Sequence, residues 1–146
     1  MSSEKWIPDF KALQPSFDLA IAEDIGDGDH SALSCLNSNE KGKVKLLAKE
    51  NGIIAGVALS KYLFTTIDPT AVVSVFIQDG SRIHTGDIVL EVEGNSIKLL
   101  QAERLVLNYI QRLSGIATST SEYAALVAHT SCTILDTRKT TPGLRI

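Results

Sequence analysis

The sequence predicts an α/β chain, an α+β sandwich layer followed by helices and then one isolated apolar strand. Three observations predict it. Helical periodicity recurs at 16–25, 58–67 and 99–114. Short apolar runs punctuated by glycine-containing turns lie between these helices, and the run CTILD at 132–136 follows the last of them.

The first helix has Phe17, Ala20, Ile21 and Ile25 at helical spacing, with Pro15 and Ser16 as a start and Gly26 as a stop. EDIGDGDHS then crowds Glu23, Asp24, Asp27 and Asp29 into an acidic turn, where Asp24 or Asp29 is expected to cap the next element. The Gly and final Glu of an EF-hand are absent from their required places, so the turn is not read as a calcium loop. From Gly42, Val44, Leu46 and Ala48 alternate with Lys43, Lys45 and Lys49, which is the period of a strand. Asn51-Gly52 supplies the turn a hairpin wants, and 53–57 reads as a short strand after it. Asp68-Pro69 closes the helix at 58–67.

Further strands are expected at 72–76, 88–93 and 97–99, with turns at Asp79-Gly80, Gly86-Asp87 and 93–95. The phrase DGSRIHTGDIVLEVEG resembles the barrel-sandwich hybrid strands of biotinyl and lipoyl carriers. It lacks their modified lysine at the hairpin tip, so it supports a sheet topology and not a carrier function. His84 reads as a surface or turn residue.

In the helix at 99–114, Leu99, Ala102, Val106, Ile110 and Leu113 form the apolar stripe, and Gln101, Arg104, Asn108 and Gln111 recur on another face. Gly115 is expected to interrupt or end it, and Ser119 or Ser121 to start a second helix reaching about residue 128. CTILD reads as a buried strand that begins another domain, since alone it would be an unpaired edge.

Composition narrows the class. A hydrophobic fraction of 44% with 21% charged residues is ordinary for a folded soluble protein, and the mean hydropathy of +0.10 is only slightly apolar. Residues 1–97 carry 8 Lys/Arg against 14 Asp/Glu, net −6, whereas residues 98–146 carry 6 against 3, net +3. The positive balance suits small anionic ligands, yet no basic run suggests a nucleic-acid surface, so no nucleic-acid partner is expected. Cys35 and Cys132 fit neither a metal framework nor a disulfide scaffold and read as packing residues in a reducing compartment. The N-terminal MSSEKWIPDF lacks a signal-peptide core, and no apolar stretch approaches the ~20 residues that span a bilayer. A cytoplasmic protein without a membrane partner is expected.

Two polar clusters could carry chemistry. On the helix face, the planar fork of Arg104 suits a carboxylate or phosphate, and the neighbouring amides can orient it. At the end of CTILD, Arg138 and Lys139 follow Asp136-Thr137, and Thr140-Thr141-Pro142-Gly143 makes a turn before Arg145. Cations and hydroxyls at a strand C-terminus read as an anion pocket. Neither cluster pairs a nucleophile with a base or assembles a metal-ligand set, so positioning and charge stabilisation are more credible than covalent catalysis.

EDIGDGD at 23–29, QAERLVLNYIQRLSGIAT at 101–118 and LDTRKTTPGLR at 135–145 together resemble the signatures of the quinolinate phosphoribosyltransferase family, in the right order and at the right separations. The resemblance implies residues 1–114 as an N-terminal α/β sandwich domain with its linking helix, and residues 115–146 as the start of a C-terminal α/β barrel phosphoribosyltransferase domain. CTILD would then be the first strand of an incomplete α/β barrel. The implied reaction moves the 5-phosphoribosyl group from phosphoribosyl pyrophosphate to quinolinate, giving nicotinate mononucleotide, pyrophosphate and carbon dioxide. Mg2+ would accompany the phosphoribosyl pyrophosphate.

By resemblance, Arg104 projects into the neighbouring subunit's site of a homodimer and meets quinolinate carboxylates. Arg138 and Lys139 contact carboxylate and phosphate; Thr137 and Thr140 shape their pocket; Asn108, Gln111 and Ser114 support the helix and interface. The acidic 23–29 motif would be architectural. Relatives continue well beyond these motifs with residues that handle ribose and metal, so this chain alone is expected to be inactive. Two alternatives stand beside this reading: a pyrophosphorylase-like protein associated with molybdate transport, and a non-enzymatic barrel-sandwich binding or assembly module.

Overall fold

The computed structural model describes residues 8–141, which form α1 (Gln14–Ile25), α2 (His30–Cys35), β1 (Lys41–Leu47), β2 (Gly52–Ile53), α3 (Val57–Ile67), β3 (Val72–Val75), β4 (Arg82–Ile83), β5 (Ile88–Asn95) and α4 (Ser96–Val127). One antiparallel sheet has the order β1-β5-β3, and β2 pairs with β4 in a small second sheet. Helix and strand are mixed and both sheets are open, which is the expected α+β architecture.

Period-2 patterning explains the main sheet. Val44 and Leu46 of β1 sit opposite Val92 and Leu90 of β5, and Val73 and Val75 of β3 oppose the same pair from the other side. These residues all belong to or pack on one core with Leu63 and Phe64 of α3 and Leu99, Ala102, Val106 and Ile110 of α4. The opposite face carries Lys43 and Lys45, whose ammonium groups lie 2.6 and 3.1 Å from the two oxygens of Glu91. Hydrogen bonds and charge from Lys43 and Lys45 hold the Glu91 carboxyl below its usual range. α1 closes one end of the core: Phe17 is buried between Tyr62, at a centroid distance of 6.0 Å, and Tyr109, edge-on at 5.9 Å.

The close approach of α3 to α4 depends on Gly56. Its φ of +101° is a left-handed conformation, and a Cβ there would meet Leu113 Cδ1 at 3.0 Å and the Ile110 backbone at 3.4 Å.

Several expectations change. Asn51-Gly52 does not join a hairpin between β1 and β2, because β1 pairs with β5 instead. The Asn51 side chain accepts from Thr85 N–H at 3.0 Å, tying the turn to the β4–β5 connection. Residues 97–99 are not a strand but the first turn of α4: Asn95 Oδ1 accepts from Lys98 N–H at 3.2 Å, which makes the polar turn an N-cap. Gly115 does not end the helix. It stands on an open side with nothing within 4 Å of a Cβ position, so the backbone cost of about 1 kcal/mol is outweighed by the packing on either side.

CTILD is also different: residues 132–136 form no strand and are exposed, with Leu135 at 80%. No described strand pairs with them, and an isolated strand cannot satisfy its own backbone. Cys35 and Cys132 are exposed free thiols, not packing residues. The expected turn residues Pro142, Gly143 and Arg145, and the start of the WIPDF segment, lie outside the described residues.

Candidate functional site

The site rests on α4, and α4 is fixed at two places. Its N-terminus is held by Asp68, which is 1% exposed and follows α3. Asp68 Oδ2 accepts from Asn95 N–H at 2.8 Å, while Oδ1 accepts from Thr70 N–H at 3.1 Å and Thr70 Oγ1 at 2.7 Å. Lys98 Nζ stands 3.7 Å from Oδ1. Burial pushes the Asp68 carboxyl up, but the donors from Asn95 and Thr70, with Lys98 nearby, outweigh it and hold the group below the usual carboxylate range. The chain end of α3, the end of β5 and the cap of α4 therefore meet at one carboxylate.

The second fixing point lies two-thirds of the way along the helix. Ser114 Oγ accepts from Ala55 N–H at 3.0 Å and donates to Ala55 O at 3.2 Å. One turn further, Thr118 Oγ1 accepts from Ile53 N–H at 2.9 Å. These bonds hold α4 against the β2 arm. Thr118 was not singled out in the sequence; its place one turn after Ser114 on the same face is the signal that identifies it.

Arg104 is exposed on the stretch between these anchors and forms no ion pair among the described residues. It lines a cleft of about 240 Å³ with Leu100 and Gln101 of α4, Asp24 at the end of α1, Asp29 of the connection, and His30 and Ser31 at the start of α2. The acidic motif forms the opposite wall. Asp29 caps α2 by accepting from Ala32 N–H at 3.1 Å, and Asp27 stands 3.2 Å from His30 Nε2. Gln111 and Ser114 line a different and larger groove of about 980 Å³, floored by apolar residues such as Leu46, Val106 and Ile110. Asn108 is exposed and lines neither.

The second cluster lies on the irregular segment after α4. Thr137, Arg138, Lys139 and Thr140 are exposed there, and Lys139 N–H donates to Thr137 Oγ1 at 3.3 Å, so the basic pair sits on a hydroxyl-stabilised turn. Neither cleft is lined by residues of both clusters. One contact between the segment and the helix is made by Arg112, whose guanidinium donates to Thr141 Oγ1. Sequence reading followed the steps from 104 to 108 to 111 and passed over Arg112; the four-residue step from 108 reaches it. Among the described residues, no three His, Cys, Asp or Glu side chains converge as a metal site, and no helix is long and apolar enough to cross a membrane.

Comparison with known proteins adds the family dimension. Residues 29–114 match the model of the quinolinate phosphoribosyl transferase N-terminal domain, and residues 116–146 match that of the C-terminal domain. A chloroplastic nicotinate-nucleotide pyrophosphorylase [carboxylating] of Oryza sativa subsp. japonica is 42% identical over 153 aligned residues, covering 100% of this chain and 41% of that protein. A probable nicotinate-nucleotide pyrophosphorylase [carboxylating] of Synechocystis is 38% identical, covering 96% of this chain and 47% of that protein. Among solved structures, NadC from Streptococcus pyogenes superposes with a TM-score of 0.88 at 35% identity, over 95% of this chain and 50% of that one. The chain therefore spans about half the length, or less, of these relatives.

Proposed function

The chain belongs to the quinolinate phosphoribosyltransferase family, and from that premise we propose that, within a longer protein, it takes part in transferring the 5-phosphoribosyl group from phosphoribosyl pyrophosphate to quinolinate in NAD biosynthesis. The pyridine nitrogen attacks the anomeric carbon as the bond to pyrophosphate breaks. Loss of carbon dioxide then leaves an electron pair beside the quaternised nitrogen until a proton replaces it, giving nicotinate mononucleotide. Such chemistry needs two anionic reactants brought together and held in line, which positioned cations supply.

The observation that carries the reading is Arg104: a guanidinium without an ion-pair partner among the described residues, open to a cleft, on a helix fixed at both Asp68 and Ser114. A rigid fork is suited to a pyridine carboxylate. Arg138 and Lys139 serve a carboxylate and a phosphate, with the hydroxyls of Thr137 and Thr140 beside them. The reading includes a homodimer in which Arg104 reaches the partner subunit's pocket. Asn108 and Gln111 support that interface.

Mg2+ enters with phosphoribosyl pyrophosphate as the counter-ion of its phosphates; no described residue is assigned to it. Domain division at residues 114 and 115 falls inside α4, so the helix links the two domains. Exposed thiols at Cys35 and Cys132 suit a reducing compartment and support a cytoplasmic location. The relatives' names favour the carboxylating enzyme over the molybdate-associated and non-enzymatic alternatives.

Calorimetric titration of the full-length protein tests the carboxylate reading. Quinolinate is expected to bind more than about tenfold tighter than nicotinate, which lacks one carboxylate, and Arg104→Ala to remove most of that preference. Equal binding of the two pyridines, or an unchanged preference in Arg104→Ala, contradicts the assignment.

A further inference from the structure

Beyond Val127 the chain turns, with Thr130 N–H donating to Val127 O at 2.9 Å, and residues 131–141 return without regular structure. The return brings Thr141 to Arg112. From Arg112 to Val127 the helix axis covers about 22 Å at 1.5 Å per residue, a distance that residues 128–141 span with slack.

Both ends of this contact are significant. Arg112 lies on the turn of α4 just before Ser114, whose double hydrogen bond to Ala55 fixes that turn on the domain. Its side chain is exposed, so its stem is not locked by packing. Thr141 lies two residues after Lys139, at the end of the turn in which Lys139 N–H bonds Thr137 Oγ1. The hydroxyl of Thr141 is thus a point at which the basic turn is tied to the helix.

We propose that Arg112 is a positioning residue for the anion motif: by holding the Thr141 hydroxyl, it fixes where the cations of Arg138 and Lys139 stand relative to α4. The inference rests on the functional reading above and adds a residue to it. A guanidinium suits the task because it remains charged and donates a charge-assisted hydrogen bond to the hydroxyl. Arg112 also adds positive charge near the motif, and the test must separate the two effects. Thr141→Val does so, since it removes the acceptor and changes no charge.

The experiment uses the full-length protein in five forms: wild type, Arg112→Gln, Thr141→Val, the double variant and Thr141→Ser. Hydrogen–deuterium exchange of the peptide containing residues 137–141 is expected to quicken in Arg112→Gln and Thr141→Val, and to stay at the wild-type rate in Thr141→Ser. Quinolinate binding is expected to weaken about tenfold in each single loss variant, the equivalent of one hydrogen bond from a charged donor. The double variant is expected to be no weaker than Arg112→Gln alone, with unchanged thermal midpoints throughout. Unaltered exchange in Thr141→Val, or losses that multiply in the double variant, would overturn the inference. If exchange responds as expected but the wild type binds no quinolinate, the positioning role survives and the functional reading fails.

Discussion

Replacing Asp68 by Asn keeps the shape of the side chain and removes its charge, at the carboxylate where α3, β5 and the cap of α4 meet. Asp68 accepts hydrogen bonds from Asn95 N–H, Thr70 N–H and Thr70 Oγ1 in a site only 1% exposed. An Asn amide can accept on one atom only, so whichever way it turns, its NH2 faces a backbone donor. One charged-acceptor hydrogen bond is lost and the attraction of Lys98 goes with it, a cost of about 2–3 kcal/mol. For a chain of this size that corresponds to a fall in thermal midpoint of roughly 5–10 °C. Thermal unfolding followed by circular dichroism at pH 7 measures it.

The same experiment has a pH arm. Asp68 is held below the usual carboxylate range in the folded state, whereas the unfolded chain has an Asp near about 3.9. Its contribution is therefore fully present above the unfolded value and is lost as pH falls through the folded one. The gap between wild type and Asp68→Asn should narrow below about pH 4. Variant and wild type melting within ~2 °C of each other at pH 7, or a gap that widens in acid, would refute the reasoning.

Three further outcomes are expected. Ser114→Ala strands the N–H and carbonyl of Ala55, and should lower stability by about 1–2 kcal/mol in urea unfolding without changing the slope. Gly94→Ala would bring a Cβ to 2.7 Å from Asp68 Oδ2 and 3.3 Å from Ala71 Cβ, and should destabilise by about 1–3 kcal/mol in the same assay. Mixing inactive Arg104→Ala and Arg138→Ala forms of the full-length protein should restore roughly a quarter of wild-type turnover after subunit exchange, because half the dimers are then mixed and each has one intact site; no recovery would mean that Arg104 serves its own subunit.

Elements with a strong period were legible in the sequence. The stripe of Leu99, Ala102, Val106 and Ile110 is buried as its spacing requires, and the alternation from Val44 to Leu46 is a strand. The strand's partner was not legible: Val44 meets Val92 across the intervening β2, α3, β3 and β4, and local turn chemistry at Asn51-Gly52 points to a nearer partner that is not used. Polar residues with two uses misled in a related way. Asn95 follows a glycine and looks like a turn between strands, yet its side chain caps a helix.

The candidate site divides along the same line. Arg104 stood out because it repeats with Gln101 and Asn108 on one face, and the acidic motif beside it was visible as a cluster. That these two form opposite walls of one cleft depends on how α1 and α2 pack against α4, a tertiary fact with no local signal. The exposure of Cys132, Ile134 and Leu135 was hidden for the opposite reason: an apolar run reads as buried whether or not a partner strand is there to cover it.

Product analysis tests the central claim most directly. Full-length protein given quinolinate, phosphoribosyl pyrophosphate and Mg2+ is predicted to release pyrophosphate, carbon dioxide and nicotinate mononucleotide in equal amounts, and to lose that turnover when Arg138 and Lys139 are both replaced by Ala. Failure to form the mononucleotide, or turnover that survives loss of both cations, would contradict the account.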